Sequence, residues 1–103
     1  YKRMESEACQ KLLSFLPQEL RDDYKELLIP NANDEEVLKL IKAADSICAY
    51  LKCLEELAAG NREFNQAKLT LESKIKSYEM PEVDHFMKHF APSFSLTLDE
   101  LSL

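Results

Sequence analysis

Apolar residues recur along this chain at three- and four-residue intervals, the period of an amphipathic helix. Met4, Ala8, Leu12 and Phe15 set the first phase, and the spacing predicts a helix that runs to Leu16 and stops at Pro17, which suits the first turn of the next one. Pro17, Gln18 and Glu19 open a short second helix ending near Leu28 or Ile29. Pro30, Asn31, Ala32 and Asn33 read as a loop, with Asn33 or Asp34 capping a long third helix from about Asp34 to Ala59. Acidic Asp34, Glu35 and Glu36 suit the positive end of its dipole. Gly60 closes that helix, and Asn61 is placed to cap a fourth from about Arg62 to Tyr78, with Phe64, Ala67, Leu71 and Ile75 on one face. A fifth helix comes after Met80-Pro81 and ends before Pro92, and a last turn spans Leu98 to Leu101.

At 100° per residue the long helix sorts into two unequal sides. Val37, Leu40, Ile41, Ala44, Ile47, Cys48, Leu51, Leu54 and Ala58 form one broad apolar arc, flanked by Tyr50 and Leu57. An arc this wide predicts a central helix with more than one neighbour. The remaining stripe holds Lys42, Asp45, Ser46, Lys52, Cys53 and Glu56, and periodicity alone assigns it to solvent. The opening helix shows no capping residue and the chain starts at Tyr1, the pattern of a helix entered part-way. Function is therefore expected to lie partly outside these residues.

Composition strengthens the helical expectation. Apolar residues make up 46% of 103 positions, yet there is one glycine and four prolines, so tight turns are few. This is the size of one small domain. The formal charge of −6 repels phosphate backbones and anionic lipid, which argues against a nucleic-acid polymer or a membrane as partner. The three cysteines, Cys9, Cys48 and Cys53, fit a reducing, cytoplasmic setting. Cys48 and Cys53 point about 140° apart on one helix and cannot pair.

Few side chains suggest chemistry. Asp45 lies mid-helix, with Ile41 and Ala49 along its own stripe and Lys52 two turns on. A carboxylate there could ligate a divalent metal, but a metal needs several converging ligands. His85 and His89 share a helical face at the spacing of paired zinc ligands, but Phe86 stands where the metalloprotease pattern needs a glutamate, so two exposed histidines are expected. Glu55 and Glu56, adjacent on a helix, face different points and read as paired surface charges. Phe86, Phe90 and Phe94, with Met87, read as core. No glycine-rich phosphate loop, catalytic Ser/His/Asp set or Cys-x-x-Cys is present.

The wording of the sequence goes further than its period. The stretch Ile41-Lys-Ala-Ala-Asp45-Ser-Ile-Cys48-Ala-Tyr50-Leu-Lys-Cys-Leu-Glu55-Glu-Leu-Ala-Ala-Gly60-Asn61 resembles the C-terminal half of the bacterial HD-domain 5'-deoxynucleotidases. The likeness begins at Pro17-Gln-Glu19-Leu-Arg21-Asp, continues through Glu63-Phe64 and Ala67-Lys68, and runs to Phe90-Ala-Pro92-Ser-Phe94-Ser-Leu-Thr-Leu98-Asp99-Glu100. It implies an all-α, HD-domain-like helical bundle of about five helices whose N-terminal half is absent, residues 1–103 being the C-terminal half of one phosphohydrolase domain. It also implies hydrolysis of deoxyribonucleoside 5'-monophosphates to deoxyribonucleoside and phosphate, and a homodimer. Members hold one divalent ion, cobalt, manganese or similar, with a histidine, an adjacent His-Asp pair and a later aspartate on a long helix. Only the last carries over, onto Asp45; His85 and His89 lie in the wrong context for the others. The fragment alone is expected to be inactive and to hold metal weakly. The alternative is a non-catalytic helical module for dimerisation or partner binding.

Overall fold

The structure, a computed structural model, describes residues 1–29 and 34–102. Six α-helices and two short 3-10 turns, with no strand among the described residues, bear out the all-α class: α1 (Lys2–Ser14), α2 (Gln18–Leu28), α3 (Glu35–Ala58), α4 (Asn65–Ser77), α5 (Pro81–His89) and α6 (Leu98–Leu101), with 3-10 turns at Arg62–Phe64 and Ala91–Ser95. The loop and helix cap expected at Pro30 to Asn33 lie outside the described residues. The chain divides into two compact units, Tyr1–Glu35 and Glu36–Leu103.

In the first unit α1 and α2 pack on each other. Arg21 fastens the corner: its guanidinium donates to the Leu16 carbonyl at 2.9 Å and the Ser14 carbonyl at 3.1 Å, two oxygens left free where α1 ends. Neither helix has a buried residue. The apolar face expected from the period is present but open to solvent, with Met4, Leu12 and Phe15 exposed.

The second unit holds the core. Ala43, Ile47, Tyr50 and Leu54 of α3 cluster with Ile75 of α4, Met80, Val83 of α5 and Ala91, and Leu51, Leu71, Tyr78, Phe86 and Met87 pack around them. This corrects the arc drawn on α3. The buried line is Ala43, Ser46, Ile47, Tyr50, Cys53 and Leu54, whereas Val37, Leu40 and Ile41 are about half exposed. The burial face is rotated by roughly a quarter turn from the centre of the apolar arc. Two members of the supposed solvent stripe, Ser46 and Cys53, therefore face inward. Phe90 and Phe94 are likewise exposed. Helix α5 ends at His89, and the 3-10 turn beyond it carries small Ala91 into the core instead.

Two turns set the directions of the helices. At the end of α3 the Asn61 N–H reaches the Glu56 carbonyl (2.9 Å) and the Gly60 N–H reaches that of Leu57 (3.0 Å), a Schellman closure with Gly60 at φ +90°. Asn61 then accepts from the Glu63 N–H, as its position predicts, and starts the 3-10 turn that leads into α4. Between α4 and α5 the same left-handed step falls on Glu79, at φ +51° and with a Cβ. Thr97 and Glu100 form a reciprocal capping box that holds the short α6.

Gly60→Ala is expected to cost about 1–2 kcal/mol through backbone strain alone, because an added Cβ meets nothing within 4 Å. Glu79→Gly is expected to gain up to about 1 kcal/mol by relieving the same strain. Urea unfolding followed by circular dichroism checks both; equal effects of one sign would contradict a strain origin.

Candidate functional site

Asp45 is exposed on α3, about 200° round the helix from fully buried Ala43. Its surroundings on that side are the exposed Ile41, Ala44, Cys48 and Ala49, with Lys52 two turns on. The carboxylate thus stands at the edge of the apolar strip that the core leaves uncovered.

The next residue, about 100° further round the helix, is buried and anchored. Ser46, 4% exposed, shares a 3.1 Å hydrogen bond with the Tyr78 hydroxyl, which also donates to the Lys42 carbonyl at 3.4 Å. One tyrosine at the end of α4 therefore grips the turn of α3 that carries Asp45. A turn further on, the Tyr50 hydroxyl donates to Glu72 Oε1 of α4 at 3.0 Å. Burial, then the hydrogen bond to the Glu72 carboxylate and its negative charge, push the Tyr50 phenol up to about 12. Glu72 also faces Lys68 at 3.7 Å. The period of α3 did not reveal these contacts. Their only trace in the sequence is that Ser46 and Tyr50, one turn apart, each carry a polar group that must find a partner if buried.

The other candidates behave as surface groups. Glu56 pairs with Lys52 at 2.6 Å and accepts from the Asn61 amide at 3.1 Å. The Lys52 ammonium, and then Asn61, hold its carboxyl below the usual range, while Glu56 raises Lys52 in return. Glu55 is exposed and apart. His85 and His89 are exposed on α5 with ring centroids 4.5 Å apart. All three cysteines are free, with Cys48 exposed and Cys53 buried.

No group of three or more His, Cys, Asp or Glu that could hold a metal occurs among the described residues. Asp45 therefore belongs to no such group. One hollow of about 410 Å³ is lined by Glu36, Val37, Lys39, Leu40, Met80 and Glu82, and another of about 370 Å³ by Glu72, Ile75, Lys76, Asp84, Met87 and Lys88. Neither takes in Asp45. No described helix is long and apolar enough to cross a membrane.

Comparison with known proteins places this arrangement in context. A family model described as 5'-deoxynucleotidase YfbR-like matches residues 1–94. A 5'-deoxynucleotidase of Vibrio atlanticus (strain LGP32) is 53% identical over 102 residues, which are 99% of this chain and 53% of the relative. One from Yersinia pseudotuberculosis serotype I (strain IP32953) is 54% identical over 103 residues, all of this chain and 52% of the relative. One from Vibrio vulnificus (strain CMCP6) is 52% identical over 102 residues, 57% of its own length. The chain spans about half the length of the curated relatives it matches.

The Tyr50 contact has a pH signature. The unfolded phenol ionises near the ordinary value of 10.0, while the folded one keeps its proton to about 12. Stability from this group is complete below about pH 10 and is lost as the pH rises towards 12. Tyrosinate absorbance should show a late ionisation near pH 12 that Tyr50→Phe removes. The same substitution should flatten the alkaline fall in stability and cost about 1 kcal/mol at neutral pH.

Proposed function

The chain belongs to the YfbR-like 5'-deoxynucleotidase family, and from that we propose that it is the C-terminal half of an HD-type phosphohydrolase domain, residues 1–103. The intact protein would hydrolyse deoxyribonucleoside 5'-monophosphates to deoxyribonucleoside and phosphate. The observation that carries this reading is the identity of 52–54% to 5'-deoxynucleotidases over essentially the whole chain.

In this reading Asp45 is one ligand of a divalent ion of the cobalt or manganese kind. Its exposure on a rigid helix supports the role, since α3 is held from behind by its buried face and by Tyr78. The described residues do not fit a metal centre by themselves, because no group of three or more His, Cys, Asp or Glu forms among them. The histidine and the His-Asp pair would come from the part of the relatives' length that this chain does not span. An ion so held would supply an acidified water and positive charge beside the phosphate. This chain contributes the carboxylate and the exposed apolar Ile41, Ala44, Cys48 and Ala49 around it. A cytoplasmic homodimer belongs to the same proposal. Exposed apolar side chains on α1 and α2, where nothing is buried, support an additional covering surface.

Two measurements test the assignment. Titrating this chain with Mn²⁺ by calorimetry should give no micromolar binding. Micromolar binding abolished by Asp45→Ala but kept after His85→Ala and His89→Ala would overturn the proposal. A chimera in which these 103 residues replace the matching part of the Yersinia pseudotuberculosis relative should release phosphate from deoxyribonucleoside 5'-monophosphates. Asp45→Asn in that chimera should lower kcat at least about a hundredfold and weaken retention of the ion. An Asp45→Asn chimera with unchanged turnover would exclude Asp45 as a ligand.

A further inference from the structure

We propose that His85 and His89 form a second, independent metal site, a two-histidine chelate for a nitrogen-preferring divalent ion such as Ni²⁺, Cu²⁺ or Zn²⁺. The pair lacks the neighbouring glutamate of a hydrolytic zinc motif, with Phe86 in its place. Chelation asks for less: two imidazole nitrogens that can meet on one ion, on a backbone that need not move. Helix α5 provides that backbone. It is α-helical from Pro81 to His89, so the two residues sit one turn apart on the same face.

The rings already lie close together, with centroids 4.5 Å apart and planes inclined at 45°. An ion bound at about 2.0–2.1 Å by each nitrogen needs them roughly 3 Å apart. Rotation of the side chains alone spans that difference, because each nitrogen lies off its ring centre. His85 also packs against the Phe90 ring at 6.0 Å, and Phe90 in turn stacks on Phe86 at 5.7 Å. This aromatic wall limits the positions His85 can take and keeps it near His89. Both histidines are exposed, so an ion can arrive from solvent without opening the core.

The donor set decides what binds. Two neutral imidazoles favour nickel, copper and zinc, whereas manganese and magnesium prefer carboxylate and water oxygen. Among the described residues no third His, Cys, Asp or Glu completes the group, so water fills the other positions and affinity stays in the micromolar range. The site differs in helix and in donor type from the carboxylate on α3.

Calorimetric titration of the reduced 103-residue chain with Ni²⁺ tests this directly, with Mn²⁺ as the oxygen-preferring control. One micromolar Ni²⁺ site is expected, weakened at least tenfold by His85→Ala or by His89→Ala, with Mn²⁺ giving no such site. His85→Gln keeps a side chain against Phe90 and should lose Ni²⁺ equally, while circular dichroism confirms that the helices persist. In ring-proton NMR spectra substoichiometric Ni²⁺ should broaden both histidines together. Binding weaker than millimolar, binding that survives the double alanine variant, broadening of one ring only, or loss of Ni²⁺ on Asp45→Asn would each overturn the proposal.

Discussion

The second unit depends on one constraint, that α3 offers only one line of side chains to its core. Ala43, Ile47, Tyr50 and Leu54 meet Ile75, Met80, Val83 and Ala91 along that line, and close packing there leaves no freedom for the helix to roll. A helix held so firmly on one face displays the other in a fixed direction. Asp45 lies on that other face, so the geometry of the candidate ligand is a by-product of the packing behind it.

Polar groups within the packed line sharpen the same constraint. A buried hydroxyl without a partner costs about 1–3 kcal/mol, and the described residues leave no buried side-chain polar atom unsatisfied. Ser46 can face inward only if Tyr78 is there to meet it, and Tyr50 only if Glu72 is. These two contacts act as register marks between α3 and α4. An apolar contact would tolerate a small slide, but a hydrogen bond of about 3 Å does not.

The helix ends show how unevenly such requirements are written in a sequence. The left-handed step after α3 falls on glycine, the residue with no Cβ to object, and the break there is plain from the sequence. The left-handed step after α4 falls on Glu79, which carries no such signal. The demands of α5 impose it, since Pro81 must start that helix and Val83 and Ala91 must reach the core. The strain is local, and the burial it permits is shared by two elements.

The sequence by itself determined the helices and nearly all their limits, because period, proline, glycine and capping residues act over a few neighbouring positions. It also carried the family likeness and, within it, the expectation placed on Asp45. It did not determine which face of α3 would be buried, since a broad apolar arc is compatible with several packings. Tertiary structure decided that Ser46 and Cys53 turn inward while Val37, Leu40 and Ile41 stay half exposed, that Phe90 lies outside and Ala91 inside, and that the rings of His85 and His89 meet. The physical reason is range. Helix formation and capping are settled by hydrogen bonds a few residues apart, whereas burial is settled by side chains from α4 and α5 some 20 to 50 positions away, whose fit no local pattern encodes.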